Sequence, residues 1–150
     1  MMLDIDIARE HPSAEFDGTR LRRAVKAVLA DAGITGGEVS IAVVDDARMH
    51  ELNRRYLDHD YPTDVLSFVL ARDGEHLDGQ IVVSFDCASR EAARYGWNAD
   101  DEVLLYAIHG ALHLVGYDDL NPGAKRAMRD AERKYLALFG LVPRYDEGHL

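Results

Sequence analysis

At 150 residues, 47% hydrophobic and 29% charged, the chain has the size and composition of one soluble globular domain, able to bury about 68–70% of its unfolded surface. A net charge of −10 excludes a broad nucleic-acid-coating surface, which needs many neutralised phosphates, but leaves room for a local basic groove. A single cysteine, Cys87, excludes an internal disulfide, and the longest apolar stretch, VLLYAIHGALHLVG, is too short to cross a bilayer.

The first twenty residues carry Asp4, Asp6, Glu10 and Glu15 and do not read as a signal peptide, which with the lone cysteine points to the cytoplasm. Residues 2–8 alternate apolar and acidic side chains and are expected to form a strand. From about 19 to 32, Leu21, Val25, Val28 and Leu29 recur at helical spacing, with Gly33 as the stop. EVSIAVVDD reads as a second strand, after which Asp46 is placed to cap a helix turning Met49, Leu52 and Tyr56 inward. DVLSFVL and GQIVVSF read as strands joined through Asp73-Gly74 as a hairpin. Asp86 is expected to cap a short helix with Ala88, Ala92 and Tyr95 on one side and Gly96 at its end. Asn98 caps a helix over about 99–115, and Asn121-Pro122 opens the last, whose apolar stripe is Ala124, Ala127, Met128, Ala131, Tyr135 and Leu138. Two basic clusters occur, RLRRAVK (20–26) and KRAMRDAERK (125–134); the second, interleaved with acids, reads as a solvated helix face. No repeat or linker divides the chain. Residues 1–150 are therefore expected to form one α+β domain, a small mixed four-stranded sheet packed by about five helices.

The chemistry concentrates in IHGALHLVGYDDL, residues 108–120. His109 and His113 lie one helical turn apart on the same face, so both can reach one metal ion. Leu104, Leu105, Ile108, Ala111, Leu112, Leu114 and Val115 make that helix apolar nearly all round, which marks it as buried. A buried imidazole is costly without a hydrogen bond or a metal. Gly116 can take the left-handed turn that ends the helix, after which Asp118 or Asp119 approaches the pair from a third side. Zinc accepts such nitrogen and carboxylate ligands and keeps an open position in catalytic sites. The pair alone is equally compatible with hydrogen-bonded core histidines, and adjacent aspartates after a helix often only make turns. Gly110 follows His109 where a peptidase of the HExxH type has its glutamate base, which disfavours peptide hydrolysis.

HGALHLVGYDD (109–119) resembles the pattern H-G-x-L-H-L-x-G-Y-D-H of the YbeY family of bacterial endoribonucleases, the ribosomal RNA maturation factors. LNRRYLDHDYPTDVLSF (52–68) is similar to the family's L-N-x-x-Y-R-x-x-D-x-x-T-D/N-V-L-S-F, and GQIVVS (79–84) to its G-D-I-x-I-S. With length and element order, the resemblance covers essentially the whole chain. It implies a zinc-dependent endoribonuclease in small-subunit rRNA 3′ end processing and ribosome quality control. It also implies one Zn2+ per chain, with ribosomal RNA and the small ribosomal subunit as partners; no membrane association is expected, and the oligomeric state is left open, a monomer being the simplest reading.

Carried over position by position, the resemblance makes His109 and His113 the first two ligands. Asp119 stands where the family has its third histidine; a carboxylate oxygen can complete a zinc site of two nitrogens and one oxygen, though as a weaker Lewis acid. Asp118 matches the family's own aspartate and is the fallback ligand or a histidine's partner. Leu57 replaces an arginine suited to gripping a phosphodiester. Arg54, Arg55 or His59 could supply that charge, an exposed helix face being the other reading of the two arginines. Thr63, Asp64 and Ser67 are expected to line the cleft. Asp64 and Asp118 are the candidate general bases, and Arg54, Arg55, Thr63 and Ser67 the candidate substrate contacts. Cys87 reads as a small helix residue, and His11, His50, His59, His76 and His149 as surface groups. The missing arginine and the acidic charge also admit a metal-stabilised ribosome-assembly factor with little catalysis of its own.

Overall fold

Strands β1 (Leu3–Glu10), β2 (Gly37–Val44), β3 (Val65–Asp73) and β4 (His76–Ser84) form one sheet in the order β1-β2-β4-β3 in the computed structural model, which describes residues 2–57 and 64–143. Helices α1 (Gly18–Asp31) and α2 (Asp46–Leu57) separate the first three strands, and α3 (Phe85–Tyr95), α4 (Ala99–Leu114) and α5 (Pro122–Ala137) follow the fourth. His59, Thr63 and His149 lie outside the described residues. The expected α+β architecture, with a mixed four-stranded sheet and five helices among the described residues, is what forms.

β1, β2 and β4 run parallel, with Ile41 opposite Ile7 and Ile81, while β3 returns antiparallel along β4, Asp73 opposite His76 across the Gly74–Glu75 turn. Successive strand side chains point to opposite faces. On one face Ile5, Val39, Ile41, Val43, Ile81 and Val83 join the core with α1 and α4; on the other, Ala42, Val44, Leu66 and Val82 pack with Met49 and Leu52 of α2. The later residues of β2 and β4 are thus packed on both sides, which is why both strands carry continuous apolar runs there, IAVV and IVV.

α4 is the central helix, packed against β3, β4, α1, α3 and α5. Its close approach to the sheet explains Gly110. A Cβ there would lie 2.7 Å from Ile81 Cγ2 and 3.0 Å from Ser67 Oγ, so any larger residue would push the helix off the strands. The Ser67 hydroxyl donates to the Gly110 carbonyl at 3.0 Å, tying α4 to β3 one residue after His109.

Three local expectations are corrected. Asp45, not Asp46, caps α2 by accepting the Arg48 N–H at 2.9 Å; Asp46 instead pairs with Arg90 at 2.7 Å. Ser84, not Asp86, caps α3 through the Cys87 N–H, and Asp86 is drawn away to accept from Asp46 N–H and to bond His11 at 2.9 Å. His11 is accordingly held against α3, its side chain only 10% exposed, and is no free surface group. Three supposed core residues are outside, Ala127 of α5 among them. Tyr56 is exposed and meets the Phe68 ring edge-on, and Leu138 is exposed because α5 buries Met128, Ala131, Glu132, Tyr135 and Leu136 instead.

The start of α4 buries a second acid. Glu102 accepts from the Trp97 indole N–H at 2.6 Å, yet burial pushes its carboxyl from 4.5 up to about 7. The folded chain then holds this proton more tightly than the unfolded chain, so the contribution of Glu102 to stability is fully present below pH 4.5 and is lost as pH rises through 7. The gap corresponds to about 3 kcal/mol. Glu102→Gln keeps an acceptor for Trp97 and removes the charge. It is expected to melt several degrees above the parent at pH 8, with most of that advantage gone by pH 5; thermal melts at the two pH values check this.

Candidate metal centre

The last turn of α4 sets His109 and His113 on one face, their rings edge-to-face at 4.6 Å between centroids and their Nε2 atoms 3.0 Å apart. Gly116 then adopts φ +106°, the conformation expected of it, and the Tyr117 N–H closes onto the Leu112 carbonyl at 3.0 Å. The reversal carries Asp119 back to the histidines: one ligand atom from each of His109, His113 and Asp119 lies within 4.8 Å of the others. Asp118 serves the turn, its carboxylate accepting the Leu120 N–H at 3.1 Å.

Behind His109 stands a residue the sequence reading missed. Glu132 of α5 is fully buried; one carboxylate oxygen meets His109 Nδ1 at 2.7 Å and the other accepts from Arg129 at 3.2 Å. A carboxylate can only accept, so the His109 proton sits on Nδ1 and the Nε2 lone pair faces His113. The available signal was an acid within an apolar stripe, four residues after Met128 and three before Tyr135.

Burial draws the His109 imidazole down, but the bond to Glu132 and the surrounding carboxylates, Asp64 and Asp119 included, outweigh it and raise its pKa. His113 is lowered, first by burial and then by the charge on His109, with Asp119 opposing. The surroundings of His113 therefore favour its neutral form. Two converging Nε2 atoms need a proton or a cation between them. Zinc bonds of about 2.0–2.1 Å at a tetrahedral angle would separate the two nitrogens by about 3.3 Å, close to the separation found, and the carboxylate supplies the third donor. The residues present fit such an ion.

The histidines open into a cavity of about 480 Å³ lined by Asp64, Ser67, Phe68, His109, His113 and Asp119 among others. Asp64 and Ser67 are thus brought to the pair as expected. Arg54 and Arg55 are not among the cavity's described walls; they are exposed on α2, where Arg55 lies 5.7 Å from the Tyr56 ring centroid and 4.0 Å from Glu51. Asp64 accepts its neighbour Val65's N–H at 2.8 Å, and its backbone carbonyl accepts from Ser84 N–H at 2.9 Å, fixing where β3 begins.

A model of the family described as endoribonuclease YbeY matches residues 6–140. The chain is 36% identical to the endoribonuclease YbeY of Salinibacter ruber, over 88% of this chain and 89% of that protein. It is 41% identical to the one from Carboxydothermus hydrogenoformans, over 91% and 97%. The solution structure of TM1509 from Thermotoga maritima superposes with a TM-score of 0.58 at 28% identity, covering 90% of this chain and 87% of that one. Together with the histidine motif and its geometry, these likenesses establish that the chain belongs to the endoribonuclease YbeY family.

Proposed function

We propose that this protein is a zinc-dependent endoribonuclease that matures the 3′ end of small-subunit ribosomal RNA in the cytoplasm and contributes to ribosome quality control. One Zn2+ per chain would be held by His109, His113 and Asp119. The observation that carries the reading is the convergence of those three side chains, with Glu132 behind them, at a cavity in a chain of this family. Bound zinc supplies a Lewis acid that polarises a phosphoryl oxygen or activates a water.

The chain's own residues do the positioning. Glu132 fixes the His109 tautomer, and Gly116 and Asp118 shape the turn that presents Asp119. Asp64, on the cavity wall and exposed, takes the proton from the attacking hydroxyl. Ser67 Oγ donates to Gly110 and keeps lone pairs with which to accept from the substrate. Thr63 stands beside Asp64 in sequence and serves as a further substrate contact.

The test is cleavage of a ribosomal RNA 3′-end transcript by purified protein stripped of metal and then given zinc. Cleavage is expected to return with zinc and to be absent in His113→Ala. Cleavage indifferent to both would overturn the reading, and RNA binding without cleavage would favour the assembly factor. A cyclic phosphate on the product would identify the RNA's own 2′-hydroxyl as the nucleophile.

A further inference from the structure

A site that cuts a phosphodiester must also hold the phosphates on either side of it, and the described walls of the histidine cavity carry no lysine or arginine with which to do so. Among its described walls the titratable groups are Asp64, His109, His113 and Asp119. The segment 58–63, DHDYPT, contains no lysine or arginine either. Asp119, however, also lines a second cavity, of about 660 Å³, that runs along α5. Its walls carry Lys125, Arg126, Arg129 and Arg133, with Asp130 as the other acid.

Helical spacing makes these a single ridge. Arg126, Arg129 and Arg133 follow at three and four residues, and Lys125 stands one turn before Arg129. Two of the four are engaged within the helix: Arg129 donates to Glu132 and Arg133 to Asp130, each at 3.2 Å. Lys125 and Arg126, nearest Asp119 in sequence, have no ion-pair partner among the described residues. A chain of net charge −10 thus gathers four cations along a groove that shares a wall with its metal centre. An isolated solvated helix face would not need to adjoin that centre.

The geometry points to this α5 groove as the track for the RNA sugar–phosphate backbone flanking the scissile bond, with Lys125 and Arg126 as its main phosphate contacts. The assignment rests on the endoribonuclease reading above. Backbone contacts of this kind position a nucleic acid without reading its sequence, so the track would grip different RNAs alike. It also places the phosphate-binding charge on α5, in a groove that shares Asp119 with the cavity lined by β3.

The experiment titrates zinc-loaded protein into a short fluorescein-labelled single-stranded RNA in the cold, follows anisotropy at several salt concentrations, and measures cleavage and zinc content on the same samples. Lys125→Ala with Arg126→Ala is expected to weaken binding roughly tenfold and to flatten the dependence of log affinity on log salt by about 1.4, two phosphate contacts at about 0.7 each. Its zinc content should match the parent's. Arg23→Ala with Lys26→Ala on α1 removes the same charge elsewhere and should bind as the parent does. An α5 variant that binds and cleaves normally would overturn the track alone, leaving the nuclease intact. Equal weakening by both pairs would reduce the effect to net charge and also overturn it. A parent that neither binds nor cleaves RNA would overturn the track together with the reading beneath it.

Discussion

Asp119→Ala is expected to lower zinc affinity by at least about a hundredfold and to take RNA cleavage below detection. Structural zinc sites with four ligands bind with about 10–16 kcal/mol, so one ligand of three carries on the order of 3 kcal/mol. Asp119 would also supply the one negative charge among the three proposed ligands, beside an imidazole whose neutral form burial favours. Asp118→Ala is the internal control: it removes a turn hydrogen bond to Leu120 N–H, worth about 1 kcal/mol, and leaves the three donors in place. Asp119→His should keep the metal, since a third imidazole is as good a zinc donor as a carboxylate. Metal content by mass spectrometry, with competition titrations against a chelator, separates the three variants. Zinc kept in Asp119→Ala and lost in Asp118→Ala would transfer the ligand role to Asp118.

The parts of this molecule that could be read from its sequence are those whose causes are local. The four-residue spacing of His109 and His113, the glycine that reverses the chain at Gly116, and the asparagine caps Asn98 and Asn121 all act within a turn or two of themselves, and each does what its spacing implies. What could not be read depends on distant partners. Asp86 would suit a helix cap, but His11 and the Asp46 N–H compete for it, and Ser84 takes its place. Gly110 looks like a missing catalytic glutamate until Ile81 is found where its side chain would be. Glu132 lies a whole helix away from His109, and on period alone it is an acid in the wrong stripe. The cationic ridge of α5 is equally silent. Interleaved acids make it look solvated, and its place beside Asp119 exists only after α5 has packed.

Glu132→Gln is expected to reduce zinc affinity about 10–100-fold, the usual cost of losing the partner that orients a ligating histidine, while leaving the fold in place. The carboxylate has two acceptors and uses both, for His109 Nδ1–H on one side and Arg129 on the other. Glutamine has one carbonyl oxygen and one amide N–H2. If the oxygen turns to His109, the N–H2 confronts the Arg129 guanidinium, donor against donor. If the oxygen turns to Arg129, the N–H2 confronts His109, and the ring must move its proton to Nε2, where it blocks the metal. Both arrangements weaken the site, by misplacing the ring or by inverting its tautomer. Glu132→Ala is the harsher change. It leaves a void and strips a buried ion pair of one partner, at about 3–5 kcal/mol, so lost zinc there would be hard to separate from lost structure. In Glu132→Gln the far-ultraviolet spectrum should match the parent's while the zinc isotherm shifts. An unshifted isotherm would mean that packing of α4 against β3 and β4, and not Glu132, holds the His109 ring in position.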